Sequence, residues 1–237
     1  MDLSLVIPVF NEQDNVQPLL AEVRSVLDGD FDYEVIFVDD GSRDATRERL
    51  AGLRRADARV RVLAHARNFG QSAALLSGLC AARAPWVATL DGDGQNDPAD
   101  IPRLYELALA DDSLWLVCGW RRARHDSGIR RLSSRVANAV RARLLGDATP
   151  DTGCGLKLLR REPCLGLPRF DHMHRFLPAL VLREGGAVRS EPVNHRPRRA
   201  GRSKYGIHNR LWVGIVDLAG VLWLKRRALR PRVGELE

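Results

Sequence analysis

Residues 3–9 read LSLVIPV, an apolar run rich in β-branched side chains, and this stretch begins the pattern that decides the fold. Apolar residues at helical spacing follow over residues 14–27, and a second short apolar run occupies residues 33–38. A strand, a helix of about 10–15 residues and another strand are typical of a βαβ unit. These residues therefore predict two neighbouring parallel strands joined by a crossover helix.

The same alternation continues to about residue 120. Further strand-like runs lie at 60–64, 86–90 and 114–118, and helical patterns lie at 44–53, 70–82 and 101–109. Such a sequence favours an α/β domain with a mostly parallel central sheet covered by helices on both faces. Ligands of these folds bind at the carboxyl ends of the strands. We therefore look for a site in the turns that follow the strands.

Length and composition exclude several classes of protein. The chain has 237 residues, of which 45% are hydrophobic and 28% charged, as in globular rather than disordered or fibrous proteins. Its longest apolar stretch, 211–224, contains Asp217 and is shorter than the about 20 residues that a membrane-spanning helix needs. The first residues show no secretory signal, so we expect the cytoplasm.

The spacing of the four cysteines does not indicate a zinc ribbon or a disulfide framework. They are Cys80, Cys118, Cys154 and Cys164, separated by 38, 36 and 10 residues. No C-x-x-C pair occurs among them. We expect four buried, reduced thiols.

Charge is distributed unevenly along the chain. Residues 1–112 contain 11 Lys and Arg against 20 Asp and Glu, whereas residues 113–237 contain 26 against 10, so the net charges are −9 and +16. Clustered arginines suit phosphate groups, because the guanidinium binds two phosphate oxygens at once. An arginine-rich genome would also produce part of this bias, since only three of the 37 cationic residues are lysines.

Three polar turns follow the predicted strands. Asn11 and Glu12 follow the first strand, the segment 39–42 (DDGS) follows the second, and the segment 91–95 (DGDGQ) follows the fourth. Because the carboxyl ends of parallel strands meet at one edge of a sheet, we expect these turns to lie together.

The pair Asp91 and Asp93 is the most informative of these features. Two carboxylates on a glycine-supported turn suit Mg²⁺ or Mn²⁺, which take one or two carboxylates together with phosphate oxygens of the substrate. A solvated turn is the alternative interpretation, because Asp and Gly favour turns for conformational reasons. The segment 39–42 likewise has the alternative of a capped helix start. The chain lacks the G-x-G-x-x-G motif of ordinary dinucleotide-binding folds.

Four ordered blocks resemble a known family. They are VIPVFNE at residues 6–12, VDDGS at 38–42, RNFG at 67–70 and LDGDGQ at 90–95. Together they resemble the signature blocks of family 2 glycosyltransferases with the GT-A fold, and within that family the dolichyl-phosphate or polyprenyl-phosphate sugar transferases. The likeness continues through residues 119–121, 130–135, 151–155, 174–178 and 198–205.

The resemblance implies roles for individual residues. Those that would hold the nucleoside are Pro8, Phe10, Glu12, Val38, Asp40, the neighbouring Asp39 and Gly92. Those that would hold Mg²⁺ or Mn²⁺ are Asp91, Asp93 and Gln95. Those that would grip the phosphates of donor and acceptor are Arg121, Arg130, Ser134, Arg198 and Lys204. Asp93, Arg121 and Asp151 would be the catalytic residues, with Asp151 as a base or orienting group; a turn or cap role for Asp151 stays open.

Two positions depart from the family pattern. Phe10 stands where relatives often carry Tyr, and Gly94 stands where many carry Leu. Neither change removes a ligand atom that the mechanism demands.

The implied activity is transfer of a hexose-type sugar, with inversion, from a UDP- or GDP-sugar to a polyprenyl phosphate in cell-envelope biosynthesis. One alternative keeps the fold but changes the acceptor to a soluble glycan, a lipid A precursor or a protein. Another is a membrane-binding module without turnover. Nucleic acid is excluded as a partner, because aromatic residues make up only 6% of the chain and single strands need exposed aromatics among the cations.

The end of the chain suggests a separate function. We expect a catalytic domain at 1–206 and an amphipathic, basic helix and tail at 207–237 that lies on the inner face of the cytoplasmic membrane. The apolar surface of this helix would comprise Leu211, Trp212, Ile215, Leu218, Leu222 and Trp223. A helix packed on its own domain is the alternative. A homo-oligomer or a membrane protein partner is also compatible with this segment.

Overall fold

The computed structural model describes residues 1–121, 141–198 and 209–229, with side chains of the last segment described from residue 213. The strands are β1 (Leu3–Val9), β2 (Tyr33–Asp39), β3 (Val60–Ala64), β4 (Trp86–Thr89), β5 (Leu114–Arg121), β6 (Lys157–Arg160) and β7 (Ala187–Val193). The helices are α1 (Val16–Leu27), α2 (Thr46–Ala56), α3 (Gln71–Ala81), α4 (Ile101–Leu109), α5 (Arg161–Leu165), α6 (Leu177–Glu184) and α7 (Asn209–Arg226).

One mixed sheet of seven strands organises the described residues, in the order β3-β2-β1-β4-β6-β5-β7. Strands β1 to β4 pair in parallel, and β5 pairs in parallel with β7. The mostly parallel sheet expected from the sequence is therefore confirmed. Strand β6 runs antiparallel to β4 and β5, with Lys157 opposite Thr89. The turn that precedes β6 consequently reaches the same edge as the carboxyl end of β4.

Two apolar clusters cover the two faces of the sheet. Successive residues of β1 alternate between them: Leu5 and Ile7 belong to one cluster, and Val6 belongs to the other. This alternation follows from the two-residue period of a strand. Burial on both faces explains why the central strands are apolar almost throughout.

Helix α7 packs on the second cluster. Val221 is fully buried there, and Leu218 and Leu222 are partly buried against the same cluster. Ile215 and Trp223, in contrast, are exposed. The predicted apolar surface is thus divided between the domain and the outside, and the side chains of Leu211 and Trp212 lie outside the described residues.

Within the described ranges, none of the helices combines the length and apolar character needed to cross a membrane.

The expectation of four buried cysteines was wrong for one of them. Cys118, Cys154 and Cys164 are buried, but Cys80 is exposed near the end of α3. All four are free thiols. Leu79 belongs to the face of α3 that packs on the sheet, whereas the neighbouring Cys80 lies outside that face.

Candidate active site

A cavity of about 360 Å³ opens at the carboxyl ends of β1, β2 and β4. Its lining comprises Pro8, Val9, Phe10, Glu12, Asp40, Asn68, Gly70, Gln71, Ala74, Asp91, Gly92, Asp93 and Arg198. The three acidic turns predicted from the sequence therefore do meet at one edge of the sheet.

Asp40 fastens the loop at residues 67–70 to the end of β2. Its carboxylate accepts hydrogen bonds from the backbone amides of Phe69 and Gly70, both at 2.9 Å. Gly41 makes this close approach possible: it has a φ of +74°, and a Cβ there would lie 2.5 Å from the carbonyl carbon of Arg67. Only glycine suits both constraints.

Asp39 has a different environment. It is fully buried, and its carboxylate accepts hydrogen bonds from Nε of Arg47 at 2.9 Å and from the amide of Ser42 at 3.0 Å. These contacts fix the turn after β2 and neutralise the buried charge. Asp39 does not line the cavity, and neither does the buried Val38.

Arg198 spans the cavity between two predicted binding residues. Its guanidinium donates to Oε1 of Glu12 at 2.5 Å and lies 4.0 Å from Oδ2 of Asp93. The other oxygen of Glu12 accepts from the side-chain amide of Asn15 at 2.6 Å. The guanidinium thus reaches both the predicted nucleoside side and the predicted metal side of the cavity.

Asp91 is placed by two neighbours that leave its charge intact. Nε2 of Gln71 donates to Oδ1 of Asp91 at 2.8 Å. A Cβ on Gly155 would lie 2.2 Å from Oδ2 of Asp91, so the turn before β6 leaves space for this carboxylate only because residue 155 is glycine. Burial, with repulsion from Asp93 in addition, raises the pKa of Asp91 to about 6.

Asp93 and Gln95 behave differently from each other. Oδ1 of Asp93 accepts from the backbone amide of Gln95 at 3.1 Å, and Asp93 lines the cavity. The side-chain nitrogen of Gln95 donates to the carbonyl oxygen of Arg196 at 3.4 Å, and Gln95 does not line the cavity.

The carboxylate pair fits a hard divalent cation. Among the described residues no group of three or more His, Cys, Asp or Glu side chains is arranged around a metal position. Mg²⁺ and Mn²⁺ do not require one, because they use one or two carboxylates with water and substrate phosphate oxygens. The raised pKa of Asp91 reflects desolvation first and repulsion from Asp93 second, and a bound cation would stabilise the ionised pair.

Arg121 and Asp151 form a bidentate ion pair near the carboxylates of Asp91 and Asp93. Nε and Nη2 of Arg121 donate to the two oxygens of Asp151 at 2.7 and 2.9 Å. Burial opposes the charge of Arg121, but the bonds to Asp151 outweigh it and raise the pKa of the guanidinium. Neither residue lines the cavity. Asp151 begins the turn that ends at Gly155, and Arg121 binds Asp151, so this ion pair lies close to the glycine that packs against Asp91.

The predicted site residues therefore fall into three groups. Those that line the cavity are Pro8, Phe10, Glu12, Asp40, Asp91, Gly92, Asp93 and Arg198. Those that lie elsewhere are Val38, Asp39, Gln95, Arg121 and Asp151. Arg130, Ser134 and Lys204 lie outside the described residues.

Sequence reasoning missed part of the lining. Asn68, Gly70, Gln71 and Ala74 all face the cavity. The resemblance includes the block RNFG at residues 67–70 but implies no role for its residues, and no motif in the sequence points to Gln71. Their position could have predicted this. The block lies just before α3, and the first residues of a helix that begins at a cavity contribute to its lining.

A profile described as "Glycosyl transferase family 2" matches residues 4–166. The chain belongs to this family. The matched segment runs from the second residue of β1 to beyond β6, and so includes every lining residue of the cavity except Arg198.

Relatives with substantial identity cover most of the chain. A dodecaprenyl-phosphate galacturonate synthase of Rhizobium johnstonii is 39% identical over 98% of this chain and 69% of its own length. An undecaprenyl-phosphate 4-deoxy-4-formamido-L-arabinose transferase of Edwardsiella ictaluri is 36% identical over 86% of this chain. The alignment spans 63% of that second relative, so the family 2 chain described here corresponds to part of it.

Solved structures support the fold. Glucosyl-3-phosphoglycerate synthase of Mycobacterium tuberculosis, in complex with Mn²⁺, UDP-glucose and phosphoglyceric acid, superposes with a TM-score of 0.72 at 21% identity, over 94% of this chain and 79% of that one. The same enzyme with Mg²⁺ and UDP gives a TM-score of 0.70. The GT-A-like α/β architecture expected from the sequence is thereby confirmed.

Proposed function

We propose that this chain transfers a sugar, with inversion, from a nucleoside-diphosphate sugar to a polyprenyl phosphate at a membrane surface. The observation that carries the proposal is the cavity at the strand ends, where Asp91 and Asp93 face Glu12 and Asp40 and where Arg198 reaches both sides. The activities named for the two relatives support the choice of acceptor.

The donor would lie along this cavity. Pro8, Phe10, Glu12 and Asp40 form one side, where we place the nucleoside. Asp91 and Asp93 form the other, where we place the diphosphate and the cation. In this arrangement Arg198 exchanges its present carboxylate partners for phosphate oxygens, because a guanidinium binds both kinds of oxygen in the same geometry.

Asp91 and Asp93 would hold Mg²⁺ or Mn²⁺. A bound divalent cation acts as a Lewis acid that stabilises the negative charge developing on the leaving diphosphate. The residues of the chain supply the placement: Gln71 and Gly155 keep the carboxylate of Asp91 facing the cavity. Gln95 remains a proposed ligand.

The acceptor needs little from a base. A phosphate monoester is already ionised near neutral pH, so catalysis depends on placing it and on stabilising charge. The basic second half of the chain, with a net charge of +16, suits this task. We assign Arg121 and the predicted residues Arg130, Ser134 and Lys204 to the phosphates. Asp151 then acts through Arg121, whose guanidinium it orients.

The segment 207–237 would attach the enzyme to the inner face of the cytoplasmic membrane. Val216 is 68% exposed and Trp223 is 60% exposed on the outer side of α7, followed by Arg226 and Arg227. Exposed apolar side chains followed by cations are typical of helices at the surface of anionic lipid. The opposite side of α7 packs on the domain, so attachment through α7 would hold the domain at the lipid surface.

Two measurements test the proposal. Calorimetric titration with UDP and with GDP, each with Mn²⁺ and with EDTA, should show metal-dependent binding of one nucleotide. Transfer of labelled sugar should then depend on polyprenyl phosphate in vesicles, and Asp93→Ala should abolish it while the circular dichroism spectrum stays unchanged. Equal activity on water-soluble acceptors without lipid would favour the other acceptor class, and full activity without metal would refute the proposal.

A further inference from the structure

Behind Asp40, a chain of hydrogen bonds runs through two residues that have no role in the proposed function. Nδ1 of His65 lies 2.7 Å from Oδ1 of Asp40, and Nε2 of His65 lies 2.9 Å from Oγ of Ser77. Asp40 lines the cavity, but His65 and Ser77 do not. The histidine ring therefore contacts a cavity residue from the protein side.

The backbone holds this ring in place. His65 directly follows β3, and its amide donates to the carbonyl oxygen of Asp39 at 2.9 Å. Its own carbonyl oxygen accepts from Nη2 of Arg47 at 3.2 Å. Phe69 packs edge-on against the ring with centroids 5.5 Å apart, and Ser77 belongs to α3. The ring is thus fixed between the sheet edge, the loop and the helix.

The partners determine which ring nitrogen carries the proton. An ionised carboxylate only accepts hydrogen bonds, so Nδ1 of His65 must donate to Asp40. In the neutral ring Nε2 is then an acceptor, and the hydroxyl of Ser77 donates to it. The other tautomer would place two lone pairs against each other at Asp40. Asp40 therefore selects the tautomer, and Ser77 adds a second hydrogen bond that fixes the orientation of the ring.

The three donors also fix which oxygen of Asp40 can serve a ligand. Oδ1 accepts from both His65 and the amide of Phe69, whereas Oδ2 accepts from the amide of Gly70. A carboxylate oxygen accepts about two hydrogen bonds, so Oδ2 keeps an acceptor position. Rotation of the carboxylate would break all three bonds. The orientation of Asp40 is consequently set by the histidine and the loop together.

We propose that His65, oriented by Ser77, is a positioning residue that aligns Asp40 for recognition of the nucleoside. This inference rests on the proposed function, in which Asp40 contacts the nucleoside. It extends that function to residues that lie outside the cavity.

The order Ser77, His65, Asp40 is also the order of a hydrolytic triad, but the surroundings do not suit one. Ser77 lies within α3, where backbone amides bond along the helix. Acyl transfer needs free amides beside the nucleophile to stabilise the oxyanion. Positioning of Asp40 is therefore the role that the contacts support.

The decisive experiment compares His65→Ala with His65→Asn in calorimetric titration with UDP and GDP in the presence of Mn²⁺. Asparagine can place an amide donor close to the position of Nδ1, whereas alanine removes the donor. We expect His65→Ala to weaken binding of the preferred nucleotide by about 10–100-fold, the range seen when the hydrogen-bonded support of a metal-ligating side chain is removed. His65→Asn keeps a donor to Asp40 and loses only the bond to Ser77, so its affinity should stay within about threefold of wild type, at the low end for one neutral hydrogen bond.

Mn²⁺ affinity without nucleotide, measured by electron paramagnetic resonance, should be the same in wild type and both variants. The reason is that Asp91 and Asp93 have no contact with His65 among the described hydrogen bonds. His172→Ala is the matched control. Nδ1 of His172 lies 3.1 Å from Oδ2 of Asp217 on α7, and neither residue lines the cavity. It should bind nucleotide as wild type does.

Ser77→Ala keeps the test decisive if His65→Ala fails to fold. Loss of the hydroxyl should weaken nucleotide binding by about threefold, since the ring then loses one of the two side-chain hydrogen bonds that fix its orientation. Ser25→Ala, which removes an exposed hydroxyl bonded to the carbonyl of Glu22, should have no effect.

The outcomes separate the two proposals. Wild-type affinity in His65→Ala or in Ser77→Ala overturns the inference. Equal weakening in His65→Asn and His65→Ala also overturns it, because the ring would then matter for packing alone. A wild-type protein that binds neither nucleotide refutes the proposed function, and the inference with it.

Discussion

The carboxylates of the cavity and those of the surrounding framework are stabilised in different ways. Asp40 is held by two backbone amides and a histidine, and Asp91 is held by the side-chain amide of Gln71. In the framework, Asp39 pairs with Arg47 and Asp151 pairs with Arg121.

Further framework pairs follow the same rule. Asp147 pairs with Arg141 at 3.0 Å, and Glu34 pairs with Arg61 at 2.6 Å. Neutral donors fix the position of a carboxylate without cancelling its charge, whereas an arginine does both. The comparison indicates that the fold preserves the charge of Asp40 on the proposed nucleoside side and of Asp91 on the proposed cation side, and neutralises the framework carboxylates. Arg198 is the exception, and we expect it to move to phosphate oxygens.

The largest expected effect comes from Asp91→Asn. The substitution keeps an acceptor for Gln71 but removes the charge, so Mn²⁺ binding should be lost and transfer should fall by at least about 100-fold, since the metal supplies several kcal/mol of charge stabilisation. The melting temperature should not fall, because a partly buried, poorly solvated charge and its repulsion from Asp93 disappear. Calorimetry, a transfer assay and thermal unfolding measure these three quantities.

Asp39→Asn is the matched framework variant. It removes the partner of Arg47 from a fully buried position, and we expect a loss of about 1–3 kcal/mol in the free energy of unfolding. Its Mn²⁺ affinity should stay close to wild type. Retained Mn²⁺ binding in Asp91→Asn, or a stability loss as large as that of Asp39→Asn, would contradict the comparison.

An intermediate effect is expected from Gly155→Ala. The added methyl group would lie 2.2 Å from Oδ2 and 2.3 Å from Cγ of Asp91, so the carboxylate must move. Mn²⁺ affinity should fall by about 10–100-fold, the usual cost of disturbing the support of a metal ligand. Gly166→Ala is the control, because its added methyl would meet its nearest atom, the carbonyl oxygen of Pro163, at an ordinary 3.7 Å. Equal affinities in both variants would refute this account of Gly155.

The smallest effect is the dependence of metal binding on pH. The pKa of Asp91 is raised to about 6, so the carboxyl group is protonated below that pH and ionised above it. A cation binds the ionised form, so affinity is gained as pH rises through 6, and it should be about tenfold weaker at pH 5 than at pH 7. Titration of Mn²⁺ at both pH values measures this. A flat profile would show that the charge of Asp91 is not what the cation meets.

Local sequence patterns predicted the order of the strands along the chain and the three acidic turns. These features depend on side-chain period and turn chemistry, which are properties of short segments. The boundaries of the helices were less well predicted. Helix α2 was expected from residue 44 but begins at Thr46, whose backbone amide donates to Oδ1 of Asp44 at 3.0 Å. Helix ends are sensitive to such local competition between caps.

Partners distant in sequence were not predictable. Nothing near Asp39 and Asp40 distinguishes a framework carboxylate from a cavity carboxylate, because the difference lies in Arg47 and His65. Gln71 and Gly155 likewise reach Asp91 from 20 and 64 residues away. The two faces of α7 follow from what it packs against, which its amphipathic pattern does not show.

The sequence by itself determined the α/β fold, the family and the strand ends at which the site lies, because periodicity and motif blocks are local and ordered along the chain. The tertiary structure decided which carboxylates keep their charge and which are neutralised. It did so because the antiparallel insertion of β6 and the return of α3 to the sheet edge bring Gly155 and Gln71 to Asp91, and only such long-range contacts fix the electrostatics of a buried group.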